Sequence, residues 1–296
     1  MKIFLTGGTG FVGGAVLRRL IADGHQVRAL ARPSARAAAV QFPAGVERAP
    51  GDVLDPDLEK HLDGIDAVIH LVGIIREVPA RNVTFERLHV AATQNVIRAM
   101  HSAGVKRLVH MSALGAGPDA ATGYFATKWR AETAVRESGL DWTVMKPSVV
   151  FGPGDEFINM LAGQVRLPLV PVIGDGQYRL QPVAAADVAA GFVRALVTPA
   201  AVGKAYEIGG PRQYTYDELL DAVGRAVGKT SVRKLHVPLA LMRPLVRALE
   251  RFSFFPVTSD QLAMLLMSNV CDPGAFYHDF GIAPTGLEEG IGYLAR

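Results

Sequence analysis

The feature that most constrains the fold is a glycine-rich segment between a predicted strand and a predicted helix at the start of the chain. Lys2–Thr6 is short and apolar, which predicts a buried strand, and Phe11–Asp23 carries apolar residues at helical spacing. Gly7, Gly10 and Gly13 follow that strand at intervals of three. Glycines at such a junction allow a tight turn, close approach of backbone N–H groups to a pyrophosphate, and close helix–strand packing. The segment therefore predicts a dinucleotide site, the alternative being an ordinary tight turn.

Predicted strands and helices alternate through the first half of the chain. Further strands are predicted at Gln26–Ala31, Val46–Ala49, Ala67–Val72, Val105–Met111 and Trp142–Lys146. Helices are predicted at Phe85–Ala103 and Tyr124–Ser138. This alternation predicts an α/β fold, with a Rossmann-type doubly wound parallel sheet.

The alternation loosens after Pro147. We expect a dinucleotide-binding domain over residues 1–150, completed by sheet segments near 180–208. A smaller, mostly helical C-terminal lobe for a substrate or partner is expected over 151–296. One of its helices begins with a predicted capping box, formed by Thr215 and Glu218.

Composition excludes several classes of protein. The 296 residues carry a net charge of only +3, which does not support nucleic-acid binding. The single cysteine, Cys271, forms no disulfide framework, and the histidines do not have metal-ligand spacing, so no metal is expected. No apolar run reaches the length of a membrane span, and a cytoplasmic location is expected.

The end of the second strand indicates which dinucleotide binds. An NAD site usually has an acidic residue about 20 residues past the glycine loop, where it accepts a hydrogen bond from the ribose 2′-hydroxyl. Arg32 stands there instead, followed by Arg36, and a guanidinium suits a 2′-phosphate. NADP(H) is therefore preferred over NAD(H), the alternative being a solvated surface arginine. Asp52 and Val53 suit the adenine amino group and ring, although Asp52 also fits a turn.

Three residues, one at the end of the predicted fifth strand and two in the helix that follows it, suit acid–base chemistry. Tyr124 and Lys128 are four apart, on one helical face, and a nearby ammonium would lower the pKa of the phenol. Ser112 ends the preceding strand, where its hydroxyl could polarise a substrate carbonyl. The alternatives are a chance tyrosine–lysine spacing and a strand-end cap.

Together these motifs resemble the extended short-chain dehydrogenase/reductase family, including its epimerase-like members. The resemblance is carried by Thr6–Gly13, Asp52–Val53, His70–Gly73, Ser112, Tyr124/Lys128, Lys146–Asp155 and Gln181–Val183. It implies cofactor contacts from Gly7, Thr9, Gly10, Phe11, Val12, Gly13, Leu71, Val72, Gly73, Lys128, Pro147 and Val150. It also implies a catalytic role for Tyr124, which Lys128 tunes while holding the nicotinamide ribose.

A narrower resemblance is to the branch that includes the nucleotide-binding accessory subunit of respiratory complex I and its bacterial relatives. It extends to Tyr206–Pro211 and Phe280–Thr285. His89 stands where the superfamily has an asparagine that organises a proton relay. The resemblance therefore implies NADPH binding more strongly than turnover.

The segment Val237–Val257 combines apolar and basic positions. Leu239, Met242, Leu245, Val246 and Leu249 recur at helical spacing, with Arg243, Arg247 and Arg251 on another face and Phe252, Phe254 and Phe255 beyond them. The pattern fits a lobe helix with solvated arginines. It also fits docking to a protein complex or to an anionic membrane, which would make the protein peripheral at the inner face of a membrane.

Two functions follow. The first is an NADP(H)-dependent oxidoreductase or epimerase-like enzyme acting on an unknown carbonyl or alcohol. The alternative is a largely non-catalytic NADPH-binding accessory or assembly factor for a quinone-linked respiratory complex, or a regulator that responds to NADP(H).

Overall fold

A parallel seven-stranded β-sheet organises the larger part of the molecule. The computed structural model describes residues 1–33, 41–250 and 258–295. In chain order the strands are β1 (Lys2–Thr6), β2 (Gln26–Ala31), β3 (Val46–Pro50), β4 (Ala67–His70), β5 (Arg107–Met111), β6 (Asp141–Pro147), β7 (Val150–Phe151), β8 (Val170–Ile173), β9 (Arg179–Leu180), β10 (Val183–Ala184), β11 (Lys204–Ile208), β12 (Tyr214–Thr215) and β13 (Lys234–Val237). The large sheet has the order β11-β6-β5-β4-β1-β2-β3. The predicted Rossmann-type doubly wound fold is confirmed.

The described residues also form α-helices that follow the strands. They are α1 (Phe11–Ala22), α2 (Ala92–Ala103), α3 (Gly123–Arg136), α4 (Phe157–Gln164), α5 (Ala185–Val197), α6 (Tyr216–Ala226), α7 (Leu239–Leu249), α8 (Ser259–Leu266), α9 (Gly274–Phe280) and α10 (Leu287–Gly290). The helix predicted over Phe85–Ala103 is not uniform, because Glu86–Ala91 forms a π-helical segment before α2. Within the described part of the chain, no helix is both long and apolar enough to span a membrane.

The chain divides into two compact units. The first unit comprises Met1–Pro147, Ala185–Ile208 and Pro273–Ala283, and the second comprises Ser148–Ala184, Gly209–Asp272 and Pro284–Arg296. The first unit contains the large sheet with α1, α2, α3, α5 and α9. Its central strands β1 and β4 are almost completely buried, as expected for strands covered by helices on both faces.

The second unit has its own apolar core and three two-stranded sheets. The pairs are β7 with β10, β8 with β13, and β9 with β12. Leu161, Leu219 and Ile291 are completely buried members of this core. The predicted capping box is confirmed at the start of α6, where the side chains of Thr215 and Glu218 each accept a hydrogen bond from the other's backbone N–H.

Register in the large sheet brings the ends of three strands together. Thr6 at the end of β1 is aligned with His70 of β4, and His70 is aligned with His110 of β5. In a doubly wound sheet, ligands bind outside the carboxyl ends of the strands. A ligand site is therefore expected at the loops that follow β1, β4 and β5.

Candidate functional site

The glycine loop after β1 is too closely packed for larger residues at two of its positions. Gly7 has a φ of +78°, which L side chains rarely adopt, and a Cβ there would lie 3.0 Å from the carbonyl carbon of Leu71. A Cβ on Gly13 would lie 2.1 Å from the carbonyl oxygen of Gly7. The first glycine therefore allows the turn and the approach to the loop after β4, and the second lets α1 pack closely against the glycine loop itself.

The start of α1 is open to an anionic group. Gly10 is the N-cap and has no side chain to cover the first amides of the helix, and the first turn contains no acidic residue. Thr9 and Gly10 are exposed, whereas Phe11 and Val12 are half-buried. Free N–H groups and the helix dipole at such an end favour a phosphate. Together with the packing at Gly7, this loop fits the pyrophosphate of a dinucleotide.

Arg32 stands beside a surface depression next to the end of β2. The depression is lined by Arg32, Pro33, Gly51, Asp52 and Asp55. Arg32 is exposed, so its guanidinium can meet a ligand there. Arg36, the second predicted phosphate contact, lies outside the described residues.

Asp52 and Val53 lie in a turn that its own hydrogen bonds stabilise. Asp52 accepts from the N–H of Leu54 at 3.0 Å, and its own N–H donates to the Asp55 carboxylate at 2.7 Å. Val53 is only 5% exposed and packs in the core of the first unit. The turn interpretation of Asp52 is thus realised, while its contact with adenine stays a prediction.

The loop after β4 connects the glycine loop with α3. The N–H of Leu71 donates to the carbonyl of Thr6 at 3.2 Å, and Val72 packs against the core of the first unit. A Cβ on Gly73 would lie 2.8 Å from Nζ of Lys128. A residue larger than glycine would therefore displace the lysine.

Lys128 is buried although it is charged in water. It is 2% exposed, and its Nζ donates to the carbonyl of Met111 at the end of β5, at 3.1 Å. Desolvation lowers the pKa of Lys128 to about 8. Lys128 therefore loses its proton about 2.5 pH units earlier than an ordinary lysine. It lies among the loops predicted to hold the cofactor.

The pKa of Tyr124 moves against the sequence-based expectation. Its partly buried ring lies edge-on to Phe85, His89 and Phe125, with centroid distances of 5.8, 5.4 and 5.2 Å. Desolvation in this aromatic setting raises the pKa of Tyr124 to about 12, rather than lowering it through Lys128. The expectation of a lowered pKa was wrong, because burial disfavours the phenolate. The phenol is protonated at neutral pH and suits proton donation.

Ser112 donates its hydroxyl proton to a buried carboxylate. Its Oγ lies 2.8 Å from Oε2 of Glu132, and both residues are buried. Arg136 pairs with Glu132 at 2.6 Å, and Nζ of Lys146 lies 3.7 Å from it. Because a hydroxyl has one proton, Ser112 can donate to a substrate carbonyl only after its bond to Glu132 breaks.

Sequence reasoning overlooked Glu132, although a signal was present. It lies four residues after Lys128 and eight after Tyr124, so the three residues share a face of α3. A carboxylate at this spacing is the pattern that could have identified the partner of Ser112.

His89 links the loop after β4 to α3. Its Nδ1 lies 2.9 Å from the hydroxyl of Thr127, and its Nε2 lies 3.1 Å from both the backbone N and O of Ile74. Its ring is buried and stacks on Phe85. Burial, followed by the nearby Lys128, lowers the pKa of His89 to about 3, so the ring is neutral. With both nitrogens bound to protein groups, His89 holds the ring of Tyr124 in place.

Two further buried histidines lie beneath these loops. Nδ1 of His70 lies 2.6 Å from the hydroxyl of Thr6, and its Nε2 lies 3.1 Å from the hydroxyl of Thr93. The neighbouring ring of His110 stacks on His70, and neither of its nitrogens has a hydrogen-bond partner within the described residues. Burial lowers the pKa of both histidines, that of His70 to about 3.

The two remaining predicted cofactor contacts lie in different units. Pro147 ends β6 in the first unit, and its carbonyl accepts from the N–H of Leu114 at 3.0 Å. Val150 lies on β7 in the second unit. Within the ranges that the structure describes, no group of three or more His, Cys, Asp or Glu residues could hold a metal ion.

Comparison with known proteins identifies relatives of two kinds. The 40 kDa subunit of mitochondrial NADH-ubiquinone oxidoreductase from Neurospora crassa is 28% identical over 78% of this chain, which spans 60% of that subunit. The 2-alkyl-3-oxoalkanoate reductase of Stenotrophomonas maltophilia is 29% identical over 98% of this chain and 97% of its own length. One relative is thus named as a subunit of a complex and the other as an enzyme.

The fold and the family agree with these relatives. The UDP-glucose 4-epimerase of Thermotoga maritima superposes with a TM-score of 0.76 at 21% identity, covering 100% of this chain and 97% of the epimerase, a likeness of fold alone. The family model described as NAD(P)H-binding matches residues 7–199. The chain therefore belongs to the NAD(P)H-binding family, within the extended short-chain dehydrogenase/reductase group that its motifs predicted.

Proposed function

We propose that this protein is an NADP(H)-dependent oxidoreductase that reduces the carbonyl group of a small molecule. The observation that carries the proposal is the position of Lys128. Its buried Nζ donates a hydrogen bond to the carbonyl of Met111 and lies close to Gly73. This contact joins the helix that bears Tyr124 to the loops predicted to hold the dinucleotide. The domain assignment belongs to the same proposal, with residues 1–150 and the segments near 180–208 binding the cofactor, and 151–296 meeting the substrate or a partner.

The protonated state of Tyr124 favours the reductive direction. A bound nicotinamide dinucleotide supplies the hydride. Tyr124, with a pKa of about 12, would donate the phenolic proton to the carbonyl oxygen. Lys128 would hold the nicotinamide ribose and stabilise the phenolate left behind. With a pKa of about 8, Lys128 is mostly charged at neutral pH.

Turnover by variants of Tyr124 tests the enzyme proposal. The purified protein is analysed for retained nucleotide, and NADPH oxidation is followed against a panel of carbonyl compounds and quinones. Tyr124→Phe should retain NADPH binding and lose turnover by about 100-fold or more, because general acid catalysis contributes that much. Tyr277→Phe on α9 is the matched control and should behave like the wild type. Unchanged turnover in Tyr124→Phe would refute this mechanism.

Arg32 carries the preference for NADP(H) in this proposal. Its exposed guanidinium lines the depression beside Asp52, where a 2′-phosphate would give it a charge-assisted hydrogen bond. Arg32→Ala should weaken NADPH binding by about 1.5–3 kcal/mol and leave NADH binding nearly unchanged. Equal losses for both nucleotides, measured by calorimetry, would refute the assignment.

A second function is favoured by the engaged side chains around Tyr124. Ser112 donates to Glu132, and His89 is bound to Thr127 and Ile74 rather than to solvent. A largely non-catalytic NADPH-binding accessory or assembly factor for a respiratory membrane complex would need no free groups there, and the relative from Neurospora is named as a subunit of such a complex. A wild-type protein that binds NADPH tightly but reduces nothing in the panel would favour this function, or that of a regulator.

The substrate class and location are proposed on the same basis. The reductase relative has an oxoalkanoate in its name, so 3-oxo acids belong in the carbonyl panel. We place the protein in the cytoplasm, with a peripheral contact to a membrane or a protein complex through the C-terminal lobe.

A further inference from the structure

One stretch of the second unit contains several basic residues and no acidic residue, although the unit as a whole carries 11 Lys and Arg against 11 Asp and Glu. Positions 222–249 contain six basic residues and no Asp or Glu, although the whole chain has a net charge of only +3. The basic residues are Arg225, Lys229, Arg233, Lys234, Arg243 and Arg247. The stretch includes β13 and α7. The stretch is locally basic, with Asp221 and Glu250 just beyond its two ends.

Helix α7 has an exposed apolar face as well as a buried one. Val246 is completely buried, which identifies the side that packs against the unit. Leu241 and Leu245, one turn apart on another side, are 64% and 46% exposed. Leu245, one of the apolar residues that recur at helical spacing in the sequence, is thus exposed, whereas Val246 next to it is buried. Exposed leucines at this spacing form an unpartnered apolar stripe.

The strands beside this stretch add further exposed apolar side chains. Leu235 of β13 is 50% exposed, and its register partner on β8 is the exposed Pro171. Leu169, which precedes β8, is 47% exposed. The paired strands therefore present Pro171 and Leu235 to solvent, with the exposed Leu169 next to them in the sequence.

The arginines of α7 are available for an anionic partner. Arg243 and Arg247 are exposed, and neither has an ion pair within the described part of the chain. By contrast, Lys234 pairs with Asp221 at 2.7 Å, and His236 pairs with Asp217 at 3.0 Å. The two helix arginines can therefore engage a negatively charged surface without breaking a salt bridge within the described part of the chain.

We propose that α7 docks on an anionic phospholipid surface, with Leu241 and Leu245 in the interfacial region and Arg243 and Arg247 on the headgroups. The occupant follows from charge, because two exposed arginines without a salt bridge among the described residues, on the same helix as exposed leucines, match a lipid surface that bears negative headgroups. A helix of 11 residues is about 16 Å long, about half of a bilayer core, so it lies in the plane of the interface. The docking does not depend on whether the protein turns over a substrate.

Vesicle sedimentation with the full-length protein tests this docking. Vesicles of phosphatidylcholine alone are compared with vesicles that also contain phosphatidylglycerol. The wild type should bind the anionic vesicles, and added salt should weaken that binding. Since each basic residue near such a surface strengthens binding about fivefold, Arg243→Gln with Arg247→Gln should weaken it roughly 25-fold. Leu241→Ser with Leu245→Ser should weaken it at least about tenfold.

Matched controls separate the face from general surface effects. Arg18→Gln and Val197→Ser alter an exposed arginine and an exposed valine of the first unit, and should leave vesicle binding unchanged. Thermal unfolding of each variant confirms that the exposed substitutions leave the fold intact. The proposal is overturned if the wild type binds neither kind of vesicle, binds both equally, or binds anionic vesicles as well with both arginines replaced.

Discussion

Burial moves the pKa values of Tyr124 and Lys128 in opposite directions, and each shift favours the neutral form. The pKa of the Tyr124 phenol rises to about 12, and the pKa of the Lys128 ammonium falls to about 8. Lys128 is still mostly charged at neutral pH, and its cationic form is the one that would stabilise a phenolate. As pH rises through about 8, that form is lost while Tyr124 stays protonated.

Carbonyl reduction should therefore decline on the alkaline side in step with Lys128 rather than Tyr124. We expect kcat/KM, measured with NADPH in excess, to fall above about pH 8 because the neutral amine no longer stabilises the phenolate. Lys128→Arg keeps its charge at all these pH values and should shift the decline upward. A decline at the same pH in Lys128→Arg would show that another group titrates.

The bond between Ser112 and Glu132 makes Ser112 a test of structural against catalytic roles. Ser112→Ala removes a buried hydrogen bond to a charged group and should lower the free energy of unfolding by about 2 kcal/mol. Turnover should change only a few-fold, because the hydroxyl proton belongs to the carboxylate. Urea unfolding and steady-state kinetics measure the two effects. A fall in kcat of about 100-fold without loss of stability would show that Ser112 acts on the substrate and not mainly on Glu132.

His89 should act on the reaction through Tyr124. His89→Ala removes the contacts to Thr127 and Ile74 and the edge of the ring that borders the phenol. We expect kcat to fall by about tenfold or more, since small misplacements of reacting groups are costly, with little change in the dissociation constant of NADPH. His89→Asn, which restores hydrogen-bonding groups, should recover part of kcat. An equal loss of kcat and NADPH affinity would indicate general disorder of the loops instead.

At the scale of elements, α1 offers a matched pair of glycines. Gly13→Ala places a Cβ 2.1 Å from the carbonyl oxygen of Gly7, so α1 must move away from the glycine loop, at a cost of about 1–3 kcal/mol and with weaker dinucleotide binding. Gly14→Ala meets only the end of Arg18, at 3.6 Å, and should stabilise the helix by up to about 1 kcal/mol. Thermal unfolding with and without NADPH measures both. Similar effects at the two positions would contradict the close packing assigned to Gly13.

The secondary-structure elements also show which parts of the fold a local sequence pattern can predict. The strands β1 to β6 lie close to their predicted positions, because apolar runs and flanking glycines mark buried parallel strands directly. The pairs β7–β10 and β9–β12 have two residues per strand, and such pairs depend on register with distant segments rather than on a periodic pattern. The spacing of Tyr124, Lys128 and Glu132 marks Glu132 as lying on the same face of α3, but its pairing with Ser112 joins a strand end to a helix 20 residues later and depends on the tertiary fold.

At the scale of the whole molecule, three buried histidines couple stability to pH. His70, His89 and His110 all have pKa values lowered by burial, so the unfolded chain binds more protons than the folded one below its ordinary pKa of about 6.5. The contribution of these histidines to the free energy of unfolding is therefore fully present above that pH. It is lost as pH falls toward about 3, where His70 and His89 become charged in the folded state.

The expected loss is about 1.4 kcal/mol per pH unit for each histidine, or about 4 kcal/mol between pH 6 and pH 5 for all three. Urea unfolding across this range measures it. His110→Leu should reduce the slope by about one third and raise stability at neutral pH, because it removes two unpaired buried nitrogens. The exposed His101→Leu serves as the control. An unchanged slope in His110→Leu would show that His110 does not contribute.

The composition of the first unit from three separate segments has a consequence for synthesis on the ribosome. Strand β11 is parallel to β6 and forms the outer edge of the sheet, yet 56 residues separate Pro147 from Lys204. While those residues are being translated, β6 is the last strand of a nascent sheet and presents unpaired N–H and C=O groups to other chains. Newly made protein should therefore be most prone to aggregation, and most dependent on chaperones, before Ile208 has left the exit tunnel.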